Sequence, residues 1–166
     1  MKKGIISLII IILAACGIIL ANEQSEQGLV ADIKYHVLPD PMERNTYDTG
    51  QCTHYIFEKV KERGHMIESD WSDAEHWAEN AEADEYVVND QPETGAIMQT
   101  ARGEIGHVAY IESVNSDGSI HISEMNLYEP HEVTERTIEA QNLNDYTYIH
   151  PKINPHAEYE RIQDNA

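Results

Sequence analysis

Cys52 is the residue in the body of this chain best suited to covalent chemistry. Of the two cysteines, Cys16 lies in an apolar stretch near the N-terminus and Cys52 stands alone in the remainder of the chain. A lone thiol there has no partner for a disulfide, so it is either a small buried hydrophobe or a group kept for its reactivity. From Cys52 onward Tyr55, Ile56 and Val60 fall at helical spacing, and Glu58, Lys59, Lys61, Glu62 and Arg63 take the opposite face. Gly64 stops the pattern, which predicts an amphipathic helix with Cys52 in its first turn. A thiol of ordinary pKa, about 8.5, is a poor thiolate at neutral pH, and a helix start and a nearby imidazole are the usual remedies. The helix start favours an anion, and its free backbone N–H groups can hold the oxyanion of a tetrahedral intermediate. Gly50 lets a substrate approach the backbone, and Gln51 supplies an amide donor, so Gln51 and the Cys52 N–H form the candidate oxyanion site.

The imidazole comes from a predicted hairpin. Residues 106–114 carry the branched and aromatic residues of a strand, Asn115-Ser116-Asp117-Gly118 reads as a turn, and residues 119–126 place Ile120 and Ile122 on one face. An even, four-residue loop would pair 114 with 119, set His107 opposite Asn126 and make Glu124 its diagonal neighbour. Side chains alternate along a strand, so His107, Glu124 and Asn126 would then share one face, whereas an odd loop would separate them. A carboxylate and an amide beside an imidazole suit it to general-base work, because a partner on one ring nitrogen fixes the tautomer and frees the other.

The elements that must position these groups run from helical to extended along the chain. Residues 23–46, with Pro39-Asp40-Pro41, read as a linker or arm. A second helix is predicted over 72–83, where Ser72 or Asp73 can cap and Ala74, Trp77, Ala78 and Ala81 form the apolar stripe; both Trp71 and Trp77 are expected in the core. Strands are predicted over 95–99, 133–138 and 146–149, and 151–166 reads as a polar tail. Helices followed by antiparallel strands make the class α+β.

Charge and the N-terminus set the context. The chain of 166 residues has room for one catalytic domain, and its 30 acidic against 11 basic residues give a formal charge of -19. Nucleic acid is bound through Lys and Arg that release its counterions, so no nucleic-acid partner is expected. Met1-Lys2-Lys3, an apolar run through Ala21 and the polar Asn22-Glu23-Gln24 form an export leader over 1–21. Leu13-Ala14-Ala15-Cys16 resembles a lipobox, which would lipidate Cys16. Cleavage after Ala21 and a retained membrane anchor are the other two fates. The nine histidines include no HExxH and no tight HxH pair, and the acidic patch Glu79, Glu82, Asp84 and Glu85 lacks the alternating spacing of a calcium loop. No metal or other cofactor is expected, and the acidic patch reads as a solvated face.

Five motifs, in order, resemble the CHAP family of cysteine, histidine-dependent amidohydrolases and peptidases. They are Thr49-Gly50-Gln51-Cys52-Thr53, Trp71-Ser72-Asp73-Ala74 with Trp77, Pro92-Glu93-Thr94-Gly95-Ala96-Ile97, Gly106-His107-Val108-Ala109-Tyr110-Ile111-Glu112 and Ser123-Glu124-Met125-Asn126. The resemblance spans 47–150 and implies a papain-like cysteine hydrolase fold, with N-terminal helices packed on an antiparallel sheet. It implies cleavage of amide bonds in bacterial peptidoglycan, as an N-acetylmuramoyl-L-alanine amidase or a peptide-bridge endopeptidase. It maps the nucleophile onto Cys52, the base onto His107, the acid that orients the base onto Glu124, and a further polar group of the site onto Asn126. Two positions depart from the family pattern: His54 stands where many relatives carry Trp, and only Tyr47-Asp48 remains of the acidic calcium loop found in phage lysins. The expected protein is a monomeric, exported enzyme of the cell envelope. The rival expectations are a secreted cysteine peptidase acting on protein and a non-catalytic surface lipoprotein that retains the fold.

Overall fold

The computed structural model describes residues 35–164, so the leader and Cys16 lie outside the described residues. Helix α1, Cys52–Glu62, forms as its apolar spacing requires and buries Cys52, Thr53, Ile56, Phe57 and Val60 on one face. A short strand β1, His65–Met66, comes after it. The second helical segment is shorter than its apolar stripe predicts. It comprises a 3-10 turn, Ala74–His76, and helix α2, Trp77–Ala83. Neither Ser72 nor Asp73 caps it through a side chain: Asp73 at the N-cap makes no such bond, and Ser72 sits at φ 66°, turned out of the helical path.

The sheet has six strands in the order β2-β7-β3-β4-β5-β6, every neighbouring pair antiparallel. Its members are β2 (Val87–Asn89), β3 (Ile97–Thr100), β4 (His107–Val114), β5 (Ile120–Met125), β6 (Val133–Ile138) and β7 (Thr147–His150). Side-chain alternation divides the interior in two. Ile97, Val108, Tyr110 and Ile149 pack with Ile56, Phe57, Val60 and Trp77 from the helices and with Trp71 from the loop between them. Met98, Ala109, Ile111, Ile120, Ile122 and Tyr148 form a second cluster, against which Leu143 and Tyr146 pack. Trp71 and Trp77 are core residues as expected, their rings edge to face at 5.4 Å.

Packing also reaches segments predicted to be linker and tail. Met42 is fully buried among the helix-side core residues, although the segment around it has no periodicity to signal this. The expected polar tail carries strand β8, Lys152–Ile153, paired with β1, and helix α3, Pro155–Asp164. Tyr159 of α3 stacks on Tyr35 with ring centroids 4.4 Å apart, and buried Asn154 donates to Asp40 Oδ1 at 2.8 Å, tying both ends of the described chain together.

The β4–β5 hairpin departs from the expected register at the turn. Val114 pairs with Ile120 and Ser113 with His121, so the loop has the odd length that should have placed His107 and Glu124 on opposite faces. A register shift between Ile111 and Ser113 then inserts Glu112 as an extra residue, and beyond it Ile111 pairs with Ile122, Tyr110 with Ser123 and Ala109 with Glu124. The bulge cancels the parity of the loop. Glu112 is held in place by Lys59 of α1 at 2.6 Å, by Arg63 at the C-cap of that helix at 3.0 Å, and by the Ser123 hydroxyl at 2.8 Å.

Candidate active site

Cys52 is the first residue of α1, 5% exposed, and the first turn of the helix carries no acidic side chain to offset its positive end. The turn before it is fixed by the Gln51 N–H bonding to Asp48 O at 3.1 Å. Gly50 has φ +86°, and a Cβ there would fall 1.9 Å from His131 Nδ1, so the imidazole of His131 lies directly against the backbone before Cys52.

His107 opens β4, and Gly106 before it sets its position. At φ +73°, Gly106 lies so close to the 3-10 turn that a Cβ would meet Glu75 N at 2.4 Å and Glu75 Cα at 2.7 Å. The Glu75 N–H donates to Ile105 O at 2.9 Å, and Gln99 Nε2 donates to Ala74 O at 2.9 Å. These contacts clamp the start of β4 onto the helical side of the molecule.

His107 Nε2 lies 2.8 Å from Glu124 Oε2, which leaves Nδ1 for the hydrogen bond between this ring and the Cys52 side chain. Burial of His107 opposes its positive charge, yet the bonds to Cys52 and Glu124 outweigh burial and push its pKa up from 6.5 to about 9. Glu124 is fully buried. Burial would raise its pKa, but hydrogen bonds from His107 and Arg136 hold it below the usual carboxylate value.

The expected set is thus brought together in part. Cys52, His107 and Glu124 form one hydrogen-bonded chain. Asn126 lies past the end of β5 at φ 65° and serves the other side of the site, donating from Nδ2 to Gln51 Oε1 at 3.2 Å and accepting from the His131 N–H. With its oxygen engaged by Asn126, Gln51 keeps its amide hydrogens for another acceptor. A cavity of about 470 Å³ opens beside Cys52, lined among others by Tyr47, Asp48, Gln51, Asp70, Asp73 and Ile105. Among the described residues no group of three or more His, Cys, Asp or Glu side chains is arranged to hold a metal ion.

The profile of the CHAP domain matches residues 42–126, half of the chain. The chain belongs to the CHAP domain family. Its motif from Thr49 to Thr53 forms the turn and helix start around the thiol, and the motifs that include His107 and Glu124 form the paired strands β4 and β5. Over 108 residues the chain is 50% identical to "Probable autolysin SsaALP" of Staphylococcus aureus strain NCTC 8325 / PS 47, covering 64% of this chain and 41% of that protein. It is 52% identical over 108 residues to the "Staphylococcal secretory antigen ssaA2" of the same strain, covering 64% and 39%. The chain therefore spans about two fifths of the length of these curated relatives. Among solved structures, that of an N-acetylmuramoyl-L-alanine amidase from Staphylococcus aureus superposes with a TM-score of 0.60 and 36% identity, covering 66% of this chain and 34% of the other. The CHAP motifs end at Asn126, so Arg136 and the contact of His131 with Gly50 are not legible from them. The exposed charge pattern of β6 carries no mark that one of its residues reaches a buried carboxylate.

Proposed function

We propose that this protein is an exported peptidoglycan hydrolase that cleaves amide bonds of the bacterial cell wall, with Cys52 as nucleophile and His107 as its acid and base. The observation that carries this reading is the chain from the Cys52 thiol through His107 to buried Glu124, set beside an open cleft in a CHAP domain. The names of its relatives, an autolysin and an amidase, favour the wall as substrate.

In this mechanism Cys52 and His107 stand as a thiolate and imidazolium pair, the thiol proton residing on the imidazole, and Sγ attacks the scissile carbonyl carbon. The oxyanion is received by the Cys52 backbone N–H and the Gln51 side-chain amide. His107 returns the proton to the leaving nitrogen as the C–N bond breaks, leaving a thioester. A water that gives its proton to His107 then attacks the thioester carbon, the C–S bond breaks, the acyl product leaves as a carboxylic acid, and the thiolate and imidazolium pair is regenerated. Glu124 accepts from Nε2–H throughout and supports the imidazolium. Export rests on the leader over 1–21, and a tether through lipidated Cys16 would keep the enzyme at the envelope.

The test is digestion of purified walls and muropeptides with mass analysis of the products by wild type and Cys52→Ser. Wild type should release either free muramoyl sugar and stem peptide or opened peptide bridges, and the mass identifies which bond is cut. The Cys52→Ser protein should keep its fold and release neither. Cleavage of protein substrates with walls left intact would replace this reading with that of a secreted peptidase, and hydrolysis by folded Cys52→Ser would remove Cys52 from the nucleophile role.

A further inference from the structure

Glu124 has a second partner besides His107. Arg136 of β6 places Nε 2.5 Å from Glu124 Oε1 and one terminal nitrogen 3.4 Å from Oε2. Strand register explains the reach: Glu124 pairs with Thr134 and Ile122 with Arg136, so Arg136 is the diagonal neighbour of Glu124 on the same face. The carboxylate is fully buried while the guanidinium is about one third exposed, so the arginine bridges the buried end of the chain to solvent. The planar fork fixed on β6 grips Oε1 closely and reaches Oε2 only at 3.4 Å, while Oε2 meets His107 Nε2 at 2.8 Å.

Resting on the catalytic reading above, we propose that Arg136 is a positioning residue of this site: its guanidinium holds Glu124 ionised and turned so that Oε2 meets His107 Nε2. Arg136 meets Glu124 on the side away from His107 and Cys52, at the far end of the hydrogen-bonded chain, so it acts through Glu124 and not on substrate. The charged and titratable groups facing the pair are His107 from β4, Cys52 from α1, and Tyr128 and Tyr146 near the guanidinium. Without Arg136, Glu124 would be a buried carboxylate with His107 as its remaining charged partner, and burial would favour its protonated form. A protonated Glu124 supports the imidazolium less, so the thiolate and imidazolium pair would form less readily as pH falls.

The experiment follows alkylation of Cys52 by iodoacetamide across pH in the full chain, with thermal melts, for wild type, Arg136→Lys, Arg136→Gln and Arg136→Met. Arg136→Met should slow alkylation near neutral pH by about tenfold, the lower end of the scale on which outer hydrogen-bond partners tune metal-bound histidines and carboxylates. The acid limb of its profile should move to higher pH. Arg136→Lys, which keeps the charge and loses the fork, should restore the limb and part of the rate. Should Arg136→Met fail to fold, folded Arg136→Gln must show the same displaced limb. A limb that stays in place in a folded neutral variant, or a loss that merely follows the melted fraction at every pH, overturns the proposal. If walls are hydrolysed, the loss in Arg136→Met falls on kcat and leaves KM unchanged. Alkylation needs no substrate, so pH-dependent labelling with intact walls would sink the peptidoglycan reading alone and leave the role of Arg136 to be judged by its own profile.

Discussion

At His107 the two partners decide what the imidazole is at working pH. A pKa pushed up to about 9 keeps it protonated through neutrality, so in the proposed mechanism the acid that protonates the leaving nitrogen is already loaded. The rate of hydrolysis should therefore hold through neutral pH and fall along an alkaline limb near pH 9, measurable as kcat/KM on a muropeptide. The same shift enters stability. A histidine whose pKa is raised on folding stabilises fully below its ordinary 6.5, and that contribution is lost as pH rises through about 9. Thermal melts of wild type should fall across that window, and those of His107→Gln should fall less. Glu124→Gln keeps the size of the side chain and removes the charge behind the imidazolium. It should lower kcat by two or more orders of magnitude, below the roughly 10⁴-fold loss typical of such an exchange in a serine triad, with the circular dichroism of the fold unchanged. Equal activity in Glu124→Gln and wild type would strip Glu124 of its role.

Two contacts between elements bring the thiol and the imidazole together. One is the packing of Gly106 on the backbone of residues 74 and 75; the other is the tie from Lys59 of α1 and Arg63 at its C-cap to the bulge residue Glu112. Gly106→Ala would force a Cβ to within 2.4 Å of a backbone nitrogen and add strain at a positive φ. It should cost about 1 to 3 kcal/mol of stability in denaturant melts. It should also slow Cys52 alkylation in the protein that remains folded, because the ring of His107 is displaced with its strand. Full labelling at wild-type stability would mean the turn yields without moving β4.

Across the whole molecule the dominant feature is charge. The formal value of -19 becomes more negative if the leader is removed, since 1–21 contains Lys2 and Lys3 and no acidic residue. Gram-positive walls are also polyanionic, so under the proposed function this chain and its wall substrate would repel each other at long range. The screening length falls from roughly 30 Å at 0.01 M salt to about 8 Å at 0.15 M, so lysis of intact walls should accelerate across that interval. Hydrolysis of a small uncharged muropeptide should barely change. Turbidity loss against NaCl with leader-free protein, beside the small-substrate control, makes the comparison. Wall activity that falls steadily with salt while the control is constant would show attraction in place of repulsion.

By itself the sequence determined the features that depend on local spacing and residue type. The helix at Cys52 follows from its apolar period, the strands around His107 and Glu124 from their branched and aromatic residues, and membership of the family from its motifs. Tertiary structure decided the features that depend on contacts distant in the chain. The odd loop at 115–119 would have parted His107 from Glu124, and the bulge at Glu112 that reunites them is held by side chains of α1 and β5 that no local pattern connects to it. Met42 and α3 belong to the fold because partners distant in the chain receive them, although their own segments lack a strong apolar period. Arg136 reads as one charge among several on a solvated strand until the register of β5 and β6 sets it beside a buried carboxylate. Local periodicity sets which element forms, whereas the partner of a buried charge is chosen by the packing of the whole chain.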